Sequence, residues 1–239
     1  MNKRLILGFI SIILNFILAV PLLAQSQDSL KLSQEGNLNN KLSKESSQKE
    51  KPFFSGVSVS GDLVGLACKA FSSYGQYEGA FRINLKERFF PIVELGIGQC
   101  DKTDEATDLH YKTTAPYIRI GCDYNILKDK YSGNRVFIGF RTAYTNFKFN
   151  IEGPDQADPV WGDKVPFHYK NQKASCFWGE IVGGLEAKIW SILHLGWTIR
   201  CRFRASQHKS NVGEAWYIPG FGRNGSTRLG ASFNVIFDI

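Results

Sequence analysis

The chain of 239 residues has four histidines, and two of them stand near serines: His168 precedes Ser175, and His208 follows Ser206. A histidine that takes the proton of a serine hydroxyl makes a nucleophile for acyl transfer, the chemistry of a lipid hydrolase or acyltransferase. No motif joins either pair, and loop histidines are usually only solvated. The residues therefore predict no catalytic site and no enzyme, with an outer-membrane lipid-modifying enzyme as the alternative. A second candidate is the acidic stretch "DKTDEATD", which carries Asp101, Asp104, Glu105 and Asp108. It could bind Ca²⁺ or share divalent ions with lipopolysaccharide, but it lacks the D-x-D-x-D-G spacing of a calcium loop, and a solvated acidic loop is the simpler reading. Five cysteines, at 68, 100, 122, 176 and 201, are an odd number and show no metal-ligand spacing. One disulfide among Cys68, Cys100 and Cys176 stays open. No cofactor and no metal is predicted. Two turn-rich stretches with aromatic residues, "DPVWG" (158–162) and "YIPGFGRNGS" (217–226), either form a binding surface or pack together as a cap.

The elements that carry these residues are strands. From Ser55 onward apolar residues recur with period two in eight segments: Val57–Leu63, Tyr77–Leu85, Val93–Ile97, Ile118–Tyr124, Val136–Tyr144, Ile181–Ile189, Leu193–Phe203 and Leu229–Ile239. The apolar face holds no charged residue in any segment, and Cys122 and Cys201 fall on it as small apolar groups. The other face collects glycine and charge: Glu78, Arg82, Glu94, Arg119, Asp123, Arg141, Glu180, Glu186, Lys188, Arg200, Arg202, Arg204 and Asp238. These seven cations and six anions nearly cancel, as a narrow lumen requires, because an unpaired charge there costs several kcal/mol.

A soluble ligand carrier of eight strands would turn its apolar face inward. Three features favour the reverse. The apolar face continues through all eight segments without the polar edge positions of a soluble sheet. Aromatic residues gather at segment ends (Phe89, Phe90, Tyr117, Tyr124, Tyr144, Phe147, Trp178 and Trp190), where two membrane interfaces would lie. The connections alternate between short ("KERF", "LKDKYSGN", "WSI") and long (Cys100–Ala115, Asn150–Ala174, Ser206–Arg228), as periplasmic turns and external loops do. The predicted fold is all-β: an eight-stranded antiparallel up-and-down transmembrane β-barrel that does not conduct, since eight strands leave room only for side chains.

The expected organisation is a signal peptide over 1–24, a disordered periplasmic linker over 25–52 and the barrel over 53–239. The opening residues have Lys3 and Arg4, an apolar run from Leu5 to Val20, and a small-residue cleavage site at Leu22-Leu23-Ala24. Residues 25–52 are rich in Ser, Gln, Asn and Lys and contain no aromatic side chain, so they cannot offset their ordering entropy by burial. The formal charge of +7 is spread along the chain, which excludes a nucleic-acid footprint. The last segment, "GASFNVIFDI", is read as the closing strand. Its Gly230, Phe233, Val235, Phe237 and Ile239 resemble the C-terminal signal of the barrel insertion machinery, although such signals most often end in Phe or Trp.

Six stretches, "GVSVSGDLVG", "YGQYEGAFRINLKERFFPIVELGIG", "LHYKTTAPYIRIGCDYNIL", "DPVWG", "AKIWSILHLGW" and "RLGASFNVIFDI", resemble an uncharacterised family of outer-membrane β-barrel proteins from Bacteroides-type bacteria. The resemblance spans about residues 55–239. It implies an outer-membrane barrel without assigned activity and brings no catalytic or ligand residue. The expected partners are outer-membrane lipid, lipopolysaccharide and the insertion machinery, and the expected role is structural or surface interaction through external loops.

Overall fold

Strands with one apolar and one polar face can hide the polar face from an apolar surrounding only by closing on themselves. The computed structural model describes residues 53–127, 133–157, 164–165, 167–210 and 213–239. The expected signal peptide, linker and "DPVWG" lie outside the described residues. In chain order the elements are β1 (Phe54–Asp62), α1 (Leu63–Phe71), β2 (Tyr74–Leu85), β3 (Phe89–Asp104), β4 (Leu109–Asn125), β5 (Arg135–Glu152), β6 (Gln156–Ala157), β7 (Lys164–Val165), β8 (His168–Lys188), β9 (Leu193–His208), β10 (Tyr217–Ile218), β11 (Gly222–Arg223) and β12 (Thr227–Asp238). Eight strands form a closed antiparallel barrel in the order β1-β12-β9-β8-β5-β4-β3-β2. Each strand therefore pairs with its neighbours in sequence, and the ring closes where Ser58–Asp62 of β1 meets Asn234–Asp238 of β12. The pairs β6–β7 and β10–β11 are small separate sheets.

The apolar face points outward. Along β5 burial alternates almost strictly, with Arg135, Phe137, Gly139 and Arg141 inward and Val136, Ile138, Phe140 and Tyr144 exposed. Ile120, Leu95 and Ile199 are 53%, 60% and 67% exposed on β4, β3 and β9, so apolar side chains form a belt around the ring. Polarity returns at the strand ends with Lys112, Lys148 and Lys173.

The hairpins differ from the sequence expectation in three ways. β3 and β4 continue through most of the expected 100–115 loop and pair up to Asp104↔Leu109, leaving only residues 105–108 as a turn. β5 and β8 likewise pair as far as Glu152↔His168. Polar residues lengthen these strands without apolar alternation, because cross-strand ladder bonds need no apolar face. Leu63 is not in β1: Asp62 caps a helix there, its carboxylate accepting from the backbone N–H of Val64 and Gly65 at 3.0 and 3.1 Å. And of the eight aromatic residues expected at the interfaces, Phe89, Tyr124, Tyr144 and Trp190 are exposed, whereas Phe90, Tyr117, Phe147 and Trp178 are buried. The second set stands on the inward phase of its strands.

Three of those inward aromatics, Tyr117, Phe147 and Trp178, belong to an apolar core inside one end of the barrel. Trp178, Phe147, Phe149, Tyr111 and Tyr117 pack with Cys100 and Cys176 and with Ile218 and Phe221 from the last long loop. "YIPGFGRNGS" is thus a cap and not an exposed surface: β10 and β11 turn back into the mouth, and Phe221 meets Trp178 edge-on at 5.8 Å. Outside the cap, Lys209 and Asn224 bond Glu214 at 2.7 and 2.9 Å and hold its carboxyl below the usual carboxylate range. All five thiols are free. Replacing Phe221 by Ala deletes a fully buried ring from this core. The expected loss is about 3–5 kcal/mol of stability, measured as a lower urea midpoint of the refolded protein.

Candidate functional site

Below the aromatic cap the lumen is filled with charge. Arg119, at the middle of β4, has no exposed side-chain surface. Its guanidinium ion-pairs with Glu78, with Glu94 at 3.2 Å and with Glu180 at 2.9 Å. Its Nη2 donates to the Gly220 carbonyl at 2.8 Å, and its plane lies over the Tyr117 ring at 4.6 Å. Gly220 is in the left-handed region at φ +80°, and a Cβ there would stand 2.6 Å from the Tyr117 ring, so only glycine lets the cap reach Arg119. Arg200 bridges Glu94 at 2.7 Å and Glu78 at 3.0 Å. Arg141 joins Glu94 at 2.5 Å to Asp123 at 2.9 Å. Two neutral donors complete the network: Tyr117 to Glu78 at 2.6 Å and Trp178 to Glu180 at 2.7 Å.

A second cluster sits toward the C-terminal end of β12. Glu186 takes Arg82 at 2.6 Å and Arg135 at 3.3 Å, while Asp238 takes Arg135 at 2.9 Å and His194 at 3.2 Å. The ring of Phe90 lies beneath both Arg82 and Arg135, at 5.4 and 5.0 Å. The space left between the clusters is about 20 Å³, room for about one water.

Of the thirteen residues expected to line the lumen, the structure brings together all but two. Lys188 is exposed at the end of β8. Arg204 bonds Gln207 near the end of β9 and the loop residue Asn224 instead. Both lie near strand ends, where solvent or a loop is within reach of a long side chain. Arg135, His194, Tyr117 and Trp178 were absent from the expected set. Arg135 continues the inward phase of Phe137, Gly139 and Arg141, so starting β5 one residue earlier finds it. His194 also shows the inward phase. Tyr117 and Trp178 share it too, but their rings read as interfacial.

The remaining candidates are scattered, except that His208 and Ser175 meet as a cross-strand pair. His168 and Ser175 are seven positions apart along β8, roughly 23 Å at strand rise. His208 of β9 faces Ser175, and Ser206 faces Phe177. In the acidic stretch Asp101 pairs with Lys112 at 2.9 Å and His110 at 3.4 Å, while Asp104 bonds Thr107 at 3.0 Å. On β12, Phe233 lies against Trp197 at 4.9 Å, Phe237 pairs with Val59, and Ile239 donates to the Val57 carbonyl at 2.8 Å. Val235 lies opposite Gly61 across the closing seam, and Gly230 borders the Arg202 guanidinium.

The family model described as "Domain of unknown function (DUF6048)" matches residues 5–238. The chain belongs to that family. Among solved structures it is similar to a major outer membrane protein from Thermus thermophilus, at 12% identity and a TM-score of 0.43, over 77% of this chain and 98% of that one. No curated protein matches it. For this DUF6048 chain the most exacting feature is the Arg119 cluster. An Arg119→Met substitution leaves Glu78, Glu94 and Glu180 short of a cation, and the expected cost is about 3–5 kcal/mol. Adding Glu78→Gln restores part of it, and urea midpoints of the single and double variants measure both effects.

Proposed function

We propose that this protein is a closed, non-conducting β-barrel of the outer membrane of a Bacteroides-type bacterium, acting as a structural or surface-interaction element through its loop end and not as an enzyme. The observation that carries the reading is the outward belt. On β5 its exposed apolar members run from Val136 to Tyr144, a span of nine residues, close to the ~9–11 that a tilted strand needs to cross a bilayer. A charge-free exposed surface of that height is costly in water, and in lipid it is the expected one. Closure supports the same reading, because an open sheet edge in hydrocarbon leaves backbone groups unpaired. The filled lumen supports the absence of conduction. In this reading residues 1–24 are the export signal, residues 25–52 lie in the periplasm, β12 is the strand offered to the insertion machinery, and the surrounding lipid and lipopolysaccharide are the partners.

Cell fractionation and gel mobility with and without boiling test the reading. The protein is expected in the outer-membrane fraction with a heat-dependent shift, whereas a soluble periplasmic protein without one would favour the ligand carrier. An Ile120→Lys substitution at mid-belt is expected to cost roughly 2–4 kcal/mol in lipid, read from unfolding in vesicles. Planar-bilayer recording is expected to show no steady open conductance, and a porin-sized current would sink the closed-lumen part.

A further inference from the structure

The barrel wall is not a complete sheet. β1 is short: its pairing with β12 ends at Asp62↔Asn234, and its pairing with β2 ends at Gly61↔Gly79. Beyond that level, Thr227–Phe233 of β12 have β9 on one side and no strand on the other among the described residues, and Tyr74–Glu78 of β2 have only β3. Helix α1 fills part of the gap, touching both lips and packing more closely on β2. A Cβ on Gly75 of β2 would stand 2.5 Å from the Lys69 backbone, and one on Gly65 would stand 2.7 Å from the Gln76 carbonyl, so helix and strand touch backbone to backbone. Among the described glycines no such contact ties α1 to β12. A cavity of about 410 Å³ opens between them, with Cys68 of α1 on one side and Gly230 and Ala231 of β12 on the other.

The lips of this opening are apolar and part of its lining is cationic. On α1 the exposed residues are Leu63, Leu66, Ala67, Ala70 and Phe71, an outward apolar stripe at helical spacing. On β12 the lip carries Leu229, 77% exposed, and Ala231. Lys102 and Arg223, both exposed, and the largely buried Arg202 line the cavity against one carboxylate, Asp62, which is engaged in capping the helix. Lys102 and Arg223 have no carboxylate partner at ion-pair distance among the described residues; they lie over the Trp216 ring at 5.4 and 5.5 Å. Arg202 meets Glu180 at 3.5 Å, yet Arg119 holds that carboxylate more closely, at 2.9 Å. In the lumen, by contrast, Arg82, Arg119, Arg135, Arg141 and Arg200 are each matched by carboxylates.

We propose that this cleft is a lateral binding site for an anionic, phosphate-bearing membrane lipid: the headgroup enters between α1 and β12 to meet Lys102, Arg202 and Arg223, and the acyl chains stay outside along Leu66 and Leu229. The unpaired edge of β12 fits this occupant, because backbone without a partner is tolerated at membrane depth only where it lines a hydrated cavity. The site rests on the outer-membrane reading, but it is tested in micelles, where a failed fractionation experiment and a failed binding experiment are separate results. The full chain in a maltoside detergent is titrated with phosphatidylglycerol, with phosphatidylcholine of the same chains, and with inorganic phosphate. Native mass spectrometry counts retained lipid, and quenching of tryptophan fluorescence by spin-labelled lipid reads affinity. One phosphatidylglycerol is expected to bind about tenfold more tightly than phosphatidylcholine. The double substitution Lys102→Gln, Arg223→Gln is expected to remove that preference while leaving the heat-dependent gel shift intact. Ala231→Trp, which fills the cleft from the other lip, is expected to remove it independently. Equal retention of the two lipids overturns the proposal, as does an undiminished preference in both variants. Displacement of phosphatidylglycerol by an equal concentration of inorganic phosphate overturns the lipid part, since the site would then take a free anion.

Discussion

A guanidinium without exposed surface persists inside a protein only where carboxylates surround it, and Arg119 has three. Those carboxylates come from β2, β3 and β8, so the charge balance of one arginine is met only when strands far apart in sequence stand around the same lumen. Arg200 draws β9 into the same cluster, and Arg141 draws in β5. The network thus specifies register as well as neutrality. Sliding one strand by a single residue would turn its charges outward into the apolar belt and its apolar side chains into the lumen.

The same demand shapes the loop end. Charge fills the middle of the barrel, but above it the inward phase carries Ala143, Phe147, Phe149 and Trp178, and the cap supplies Ile218 and Phe221 to cover them. The lumen is therefore layered, ionic below and aromatic above, and the two layers meet where Gly220 gives its carbonyl to Arg119. Trp178 serves both, its ring packed on Phe221 and its indole N–H on Glu180. The aromatic layer covers one side of the network, and the low local dielectric there strengthens each ion pair and raises the cost of leaving one incomplete.

One sector of the wall departs from this regularity. Where β1 stops, helix α1 replaces sheet, and the backbone bonding that closes the rest of the ring lapses between α1 and β12. A barrel built only to be stable has no reason to shorten its first strand there. The departure coincides with unneutralised cations at Lys102 and Arg223, so the irregular backbone and the unbalanced charge occur in the same place.

Period-two alternation was enough to read the strand number, the apolar face, the order around the ring and most of the inward charges, because each depends on neighbours two residues apart on one strand. It missed what depends on neighbours across the lumen. Whether Trp178 or Phe147 faced outward or into the lumen turned on one step of phase beyond the clear alternation of its segment, because β5 and β8 run further than that alternation shows. Lys188 and Arg204 share the inward phase of Glu186 and Arg202, and only the position of the barrel rim and the loop decided that they lie outside the network. The helix after Asp62 carried a local signal in the spacing of Leu63, Leu66, Ala67, Ala70 and Phe71, hidden because Leu63 also extends the alternation of Val57 and Val59. The sequence alone determined that eight two-faced strands must shelter one face of each, and closing into a ring is the arrangement that also leaves no long open edge. Only the tertiary structure decided which carboxylate meets which arginine, where the wall opens and what caps the mouth. Those are contacts between residues tens of positions apart, and their geometry exists only once the ring has closed.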